Sequence, residues 1–241
     1  LGKKRVQAVM MPFEYTSQLS INAAAQQAAL LGVNYKVIAI HEIYSAFMDA
    51  LAMEFAGSEI DVSEQNIQAR ARGVVLMAIS NKKGSLVLTT GNKSEIAVGY
   101  TTLYGDMAGG FNPLKDVSKT LVYKLSSYRN TGYGPEPDEV IPTQVIERAP
   151  SAELAPGQID QDNLPPYDIL DQILELYVEN DCSADAIIAE GFDEVIVRKI
   201  VRMVDLNEYK RRQSPIGVRL TKRGFGRDRR YPITNAWPMG D

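Results

Sequence analysis

The sequence predicts an α/β fold: a parallel sheet flanked by helices, with a small helical C-terminal cap. Three observations carry this. Strand-like runs Val6–Met11, Tyr35–Ile40 and Leu86–Thr90 alternate with helix-like segments near Ser20–Leu31, Glu42–Phe55 and Ser63–Ser80, the order that builds parallel sheets through crossover helices. Beyond an irregular stretch from Pro150 to Pro166, helices near Tyr167–Val178, Ser183–Ala189 and Asp193–Asn207 follow one another with no strand between them. The 241 residues are 45% hydrophobic and 23% charged, enough apolar material for the core of one large or two small domains.

Taken in order, Arg5–Met11 reads as a buried strand although the chain opens at Leu1, so the first element of its domain is expected upstream. The first helix follows a Tyr15-Thr16-Ser17 turn, carries Ile21, Ala24, Ala25, Ala28 and Leu31 on one face and stops at Gly32, which predicts that it lies flat on the sheet. Ligands of such folds bind at the carboxyl ends of the strands, which directs attention to Met10–Ser17 and Thr89–Glu95. The next two helices are apolar on more than one face: Ile43, Phe47, Leu51 and Phe55 share a side while Ala46, Ala50 and Met53 occupy others, and burial against a partner subunit is expected. Pro and Gly interrupt regular structure at Gly105–Pro113 and Asn130–Pro137, around a helix near Val117–Tyr128. Ser183 and Asp193 mark helix starts in the cap. From Lys210 to Arg230 there are nine Lys or Arg residues and one Asp, punctuated by Pro215, Gly217, Gly224 and Gly226, and Trp237 is placed to anchor the tail. The expected partition is residues 1–150 as α/β core, 151–209 as helical cap and 210–241 as a basic tail over the active site.

Composition closes several doors. The longest apolar runs, such as Gly73–Ile79, fall far short of the about 20 residues that span a bilayer, so a cytoplasmic protein without membrane contact is expected. One cysteine, Cys182, and one histidine, His41, exclude an internal disulfide and a multi-Cys or His-rich metal site; His41 reads as a cap or packing residue. The basic tail admits a nucleic-acid arm, but its aromatic interleaving is sparse and the whole chain carries −4, so a mobile flap closing over ligand phosphates explains its glycines better.

The chemistry is densest in Leu86-Val-Leu-Thr-Thr-Gly-Asn-Lys-Ser-Glu95, a strand breaking at Gly91 into a helix start. The hydroxyls of Thr89 and Thr90 and the free N–H groups beyond them suit a phosphate or ribose, and Glu95 one turn on suits a cation; strand-end capping and a solvated Glu would account for the same residues. Upstream, Asn66 and Arg70 stand four apart on one helix face, where they either converge on an anion or form a plain polar surface. Tyr104-Gly-Asp106, Gly109-Gly110, Asn112–Asp116 and Lys119 supply a polar loop whose glycines let a nucleotide approach the backbone. Asp106 is the acid nearest the expected chemistry, and a turn-capping role is its alternative.

These pieces, colinear over almost the whole chain, resemble the NAD+ synthetase family in its glutamine-dependent branch. The resemblance rests on Met11-Pro-Phe-Glu-Tyr-Thr-Ser17, Glu64-Gln-Asn-Ile-Gln-Ala-Arg-Ala-Arg72, Thr89-Thr-Gly-Asn-Lys-Ser-Glu95, Tyr104-Gly-Asp106, Asn112-Pro-Leu114 with Lys119, Pro150-Ser-Ala-Glu-Leu154, Asp162–Asp168 and Tyr209-Lys-Arg-Arg-Gln213. It implies an adenine-nucleotide alpha-hydrolase-like ATP pyrophosphatase fold and ATP-dependent amidation of deamido-NAD+ through an adenylate, with Mg2+ and with ammonia supplied from glutamine. It further implies that Thr90, Lys119 and Ser151 contact ATP, that Asn66, Arg70, Glu95 and Lys210 contact deamido-NAD+, that Glu95 lies near the metal, and that the protein assembles as a symmetric homodimer or higher oligomer. The family's Ser-Gly-Gly-x-Asp-Ser pyrophosphate loop is expected upstream of Leu1, as is a nitrilase-like glutaminase domain, for whose nucleophile Cys182 is no candidate; without these parts no turnover is expected. The alternatives are another ATP pyrophosphatase-type amidoligase, such as a GMP-synthetase-like protein, or a nucleic-acid-binding module acting through the tail.

Overall fold

The computed structural model describes residues 1–131 and 139–234. Most of the Asn130–Pro137 loop and Trp237 therefore lie outside the described residues. The chain forms two compact units, Leu1–Arg72 with Tyr123–Asp162 and Gly73–Val122 with Asn163–Asp241.

The first unit opens with a βαβ turn of chain. Strand β1 (Gln7–Met10) pairs in parallel with β2 (Asn34–Val37), Gln7 opposite Asn34 and Met10 opposite Val37, and helix α1 (Gln18–Leu31) makes the crossover. Ser17 caps α1 by accepting from the Ser20 N–H at 3.2 Å, and the helix ends at Gly32 as expected. Its inward face is set by Ala23 and Ala28, whereas Ala25 is exposed. Helix α2 (His41–Leu51) stops four residues short of the expected Phe55 and contains no buried residue; Phe47 is 41% exposed. Helix α3 (Val62–Lys83) starts where Asp61 accepts from the Ser63 N–H and Glu64 reaches back to the Asp61 N–H; the division between the units falls after Arg72 within α3 and after Val122 within α5 (Lys119–Arg129). With α6 (Thr143–Glu147), this unit has a small core of Phe13, Ile40 and Ala71 backed by Met11, Ile43 and Tyr44. His41 Nδ1 lies 3.1 Å from a Glu14 carboxylate oxygen and its ring stacks on Phe13, the packing role its position suggests.

The third strand expected at Leu86–Thr90 does not form. Leu88 makes an isolated parallel bridge to Phe111, with the Thr89 N–H donating to the Phe111 carbonyl at 3.0 Å, and Leu86 is 66% exposed. An apolar run gains a strand's ladder only where an extended neighbour lies alongside for several residues, and here the contact is brief: the Gly110 N–H donates to the Val87 carbonyl at 3.0 Å, and by Asn112 the neighbouring segment bonds to Ile216 instead.

The second unit holds the larger core. The short helix α4 (Lys93–Val98) presents Ile96, Ala97 and Val98 to α7 (Tyr167–Leu174) and α9 (Glu194–Leu206), and α8 (Ala184–Ala189) packs on α9 in the same core. Along α9 the buried positions Val197, Ile200, Val201 and Val204 follow the i, i+3, i+4, i+7 spacing of a single helix face, and each such side chain contributes about 1.5–3 kcal/mol on burial. Ser183 and Asp193 cap α8 and α9 as the sequence indicates, accepting from the Ala186 and Ile196 N–H groups. Helix α7 does not run on to Val178; it opens into a π-helical turn over Glu175–Glu179, where the Asn180 N–H reaches the Glu175 carbonyl at 3.1 Å. Helix α10 (Glu208–Arg211) closes the unit, its Glu208–Arg211 pair at 2.9 Å almost wholly buried. Among the described residues no helix is long and apolar enough to cross a membrane.

Candidate functional site

Helix α4 is the hub of the second unit's polar residues. Asn92 accepts from the Glu95 N–H at 3.0 Å while the Glu95 carboxylate accepts from the Asn92 N–H at 3.1 Å, a reciprocal cap that lets a helix of only six residues start cleanly. The other Glu95 oxygen pairs with Lys119 Nζ at 2.9 Å, and Lys119 also lies 5.2 Å from the centre of the Tyr167 ring. Lys119 opens α5, positioned by its N–H donating to Ser94 Oγ at 2.9 Å; Ser94 in turn donates to Asp171. Glu95 and Lys119, both fewer than one-fifth exposed, thus form one half-sheltered ion pair.

At the other end of α4, Lys210 donates to the carbonyls of Gly99 at 2.6 Å and Thr101 at 2.9 Å. Burial lowers its pKa, opposed by the charge of Asp106. Asp106 accepts from the Thr102 N–H at 2.6 Å, closing the turn that was its alternative role. The residue keeps exposed surface, yet protein atoms crowd its carboxyl; that burial, reinforced by the negative charge of Glu95, outweighs the Thr102 bond and the Lys210 charge and pushes its pKa up to about 6. Because the folded-state pKa lies above the unfolded one, Asp106 stabilises the fold most where it is protonated, below about pH 4, and that contribution is lost as pH rises through about 6. Asp106→Asn is expected to flatten the fall in unfolding free energy between these values, measured by urea titration at several pH values.

Thr90 is exposed, whereas the neighbouring Thr89 is buried. In the first unit, Asn66 is half-buried and Arg70 exposed on α3. Ser151 donates to the Gln158 carbonyl and accepts from the Glu153 N–H at 3.0 Å. Of the residues singled out, the structure therefore gathers Glu95, Lys119, Asp106 and Lys210 around α4 in one unit and holds Asn66, Arg70 and Ser151 in the other.

Three charged residues that the sequence reading left without a role also stand at α4. Lys93, only 7% exposed, pairs with Asp116 at 2.7 Å and with Glu179. Burial alone would raise the Asp116 carboxyl, but hydrogen bonds from Lys93 and from the N–H groups of Thr221 and Leu220 bring it below the usual carboxylate range.

An open cavity of about 530 Å3 lies between the second half of α3 and the Tyr104–Gly109 loop, lined by Gly73, Met77, Tyr104, Met107 and Gln213 among others. Gly73 is required there: a Cβ would stand 2.9 Å from the Tyr104 carbonyl oxygen. None of the lining residues is charged, although the Tyr104–Gly109 loop that lines the cavity also carries Asp106.

A Mg2+ site fits only in part. Among the described residues no three His, Cys, Asp or Glu side chains converge on one point, and both Glu95 oxygens already accept hydrogen bonds. Mg2+ commonly takes one or two protein carboxylates and completes its shell with water and substrate phosphates, a demand that Glu95 can meet by exchanging its lysine.

Comparison with known proteins gives a consistent result. A model of the family described as NAD synthase matches residues 1–214. The chain is 56% identical over 241 residues to a glutamine-dependent NAD(+) synthetase of Acinetobacter baylyi, covering all of this chain and 44% of that protein. It thus spans less than half the length of that relative. Among solved structures, it is similar to a glutamine-dependent NAD+ synthetase of Acinetobacter baumannii in complex with adenosine diphosphate, at 52% identity, TM-score 0.59, 100% of this chain and 43% of that one. A glutamine-dependent NAD(+) synthetase of Cytophaga hutchinsonii, 22% identical, shares the fold with TM-score 0.76 over 95% of this chain and 38% of its own.

Proposed function

The chain belongs to the NAD synthase family, and from that premise we propose that it is the synthetase portion of a glutamine-dependent NAD+ synthetase, amidating deamido-NAD+ with ATP, Mg2+ and ammonia in the cytoplasm. The observation that carries this reading is the cluster around α4, in which Glu95, Lys119, Asp106 and Lys210 come from four separate stretches of sequence and meet in one unit.

In the proposed reaction a nicotinate carboxylate oxygen attacks the α-phosphorus of ATP and pyrophosphate leaves; ammonia then adds to the acyl carbon, loses a proton, and AMP departs. Negative charge grows on phosphate oxygens in the first step, and the Lys119 ammonium, shielded from bulk water, is the group to stabilise it. Thr90 and Ser151 are assigned to ATP, and Asn66, Arg70, Glu95 and Lys210 to deamido-NAD+. Mg2+, when bound, would supply charge neutralisation at the phosphates, with Glu95 as its protein ligand. Asp106, poised near pH 6, suits the proton released by ammonium in the second step. No side-chain nucleophile is needed, which agrees with a chain holding a single Cys and a single His. The parts of the longer relatives beyond this chain leave room for a glutaminase domain that makes the ammonia. The partition at residues 150 and 209, into nucleotide-binding core, helical cap and basic tail, is part of the same proposal, as is a homodimer that buries apolar side chains of α2 and α3, Phe47 and Val74 among them.

The test is NAD+ formation from deamido-NAD+, ATP, Mg2+ and ammonium by the full-length protein and its Arg70→Ala variant. Amidation that needs ATP and falls about tenfold or more in the variant is expected, the usual scale for losing a charge-assisted hydrogen bond. A folded full-length protein that makes no NAD+ would overturn the reading.

A further inference from the structure

Buried charge in the second unit is concentrated where the C-terminal basic segment meets α4. Lys93 Nζ donates to Thr221 Oγ1 at 2.6 Å and lies 2.7 Å from Asp116, with Glu179 on its other side. Asp116 accepts from the N–H groups of Leu220 and Thr221, both at 2.7 Å, and from the Thr221 hydroxyl at 2.9 Å, while Glu179 accepts from the Arg223 N–H at 2.9 Å. Upstream of this node the segment continues along the same loop: the Asn112 N–H donates to the Ile216 carbonyl at 2.8 Å, and Lys115 Nζ to the Pro215 carbonyl at 2.7 Å. Downstream, Asp181 pairs with both Arg223 and Arg229. The contacts from Pro215 to Arg229 thus run mainly to three acids, a buried lysine and one loop.

Such bonding does not suit a segment that swings free. A carboxylate that receives two backbone N–H groups, a hydroxyl and an ammonium fixes the direction of every donor, and undoing that in a sheltered place strands charge. Because Lys93 belongs to α4 and its N–H donates to the Val117 carbonyl at 2.8 Å, two residues before Lys119, the same node holds the two elements that carry Glu95 and Lys119.

We propose that Lys93 and Asp116 are positioning residues: they brace the C-terminal segment Pro215–Arg223 against α4 and the Asn112–Asp116 loop, and thereby set the separation at which Glu95 and Lys119 meet the nucleotides. The basic segment is then a fixed strap whose docking is needed for nucleotide binding. This rests on the proposed function above for its kinetic consequence, but not for the docking itself.

The experiment uses the full-length protein with Thr221→Val, which removes one hydroxyl from the node and leaves Lys93 and Asp116 paired, together with Thr221→Ser, which keeps the hydroxyl. Asp116→Asn is the stronger companion. Two quantities are measured: the rate of tryptic cleavage after Arg219, Lys222 and Arg223, and the KM values for ATP and for ammonium. Loss of hydrogen bonds to charged groups is expected to speed cleavage about tenfold and to raise the KM for ATP by a similar factor in Thr221→Val, with Thr221→Ser and the KM for ammonium at wild-type values. Unchanged cleavage in both Thr221→Val and Asp116→Asn overturns the brace. Faster cleavage with an unchanged KM for ATP overturns its positioning role. A wild-type protein that makes no NAD+ would count against the proposed function alone, and the cleavage rates would still decide whether the strap is docked as described.

Discussion

Glu208→Ala is expected to lower the unfolding free energy by about 3–5 kcal/mol, the cost of leaving a buried charge without its partner. The side chains of Glu208 and Arg211 are each 1% exposed and 2.9 Å apart. Arg211 also donates to the carbonyls of Ala97, at 2.6 Å, and Val204, and its guanidinium packs 4.9 Å from the Phe225 ring centre and 5.3 Å from that of Tyr231. Those carbonyls cannot neutralise it, so removing the carboxylate strands a cation inside the larger core. Guanidinium chloride titration reads the loss directly. Recovery of much of it in Glu208→Leu/Arg211→Met would show that the pair is costly to break rather than strongly stabilising in itself; a loss in Glu208→Ala below about 1 kcal/mol would mean that water reaches the site.

Lys119→Met should have the largest effect on catalysis, lowering kcat/KM for amidation by about 100- to 1,000-fold with ammonium as nitrogen source. The substitution keeps the length of the side chain while deleting the charge assigned to the phosphates, and it leaves the Glu95 carboxylate without its 2.9 Å partner. Glu95→Gln is the informative comparison, because the amide oxygen can still accept from the Asn92 N–H and preserve the start of α4. Steady-state kinetics beside melting curves separates the two: a loss under about tenfold in a stably folded Lys119→Met protein would remove Lys119 from the proposed chemistry.

How much of this was legible in the sequence differs by level. Helices with a strong cap or a strong apolar period were readable: Ser183 and Asp193 start α8 and α9 where expected, and the α9 face follows from its spacing. The Leu86–Thr90 strand was misread because its apolar run says nothing about whether a neighbouring chain stays alongside. The inward face of α1 was only partly read, since a run of alanines offers several equivalent stripes and the neighbours choose among them. At the site, the motif around Thr89–Glu95 points to α4 and includes Lys93, but the motif alone gives that lysine no partner. Its partners Asp116 and Glu179 lie 23 and 86 residues away, and only the fold brings them together.

The π-helical turn at Glu175–Glu179 bears on how this chain tolerates insertions and deletions. A π turn holds about one residue more than an α turn, so removing one residue there lets the chain rewind as a regular helix with Glu179 still on the side that meets Lys93. Nothing about the composition or hydrophobicity of the segment would change. A one-residue deletion between Glu175 and Val178 is therefore expected to be milder than the same deletion inside Tyr167–Leu174, which would turn every later side chain by about 100°.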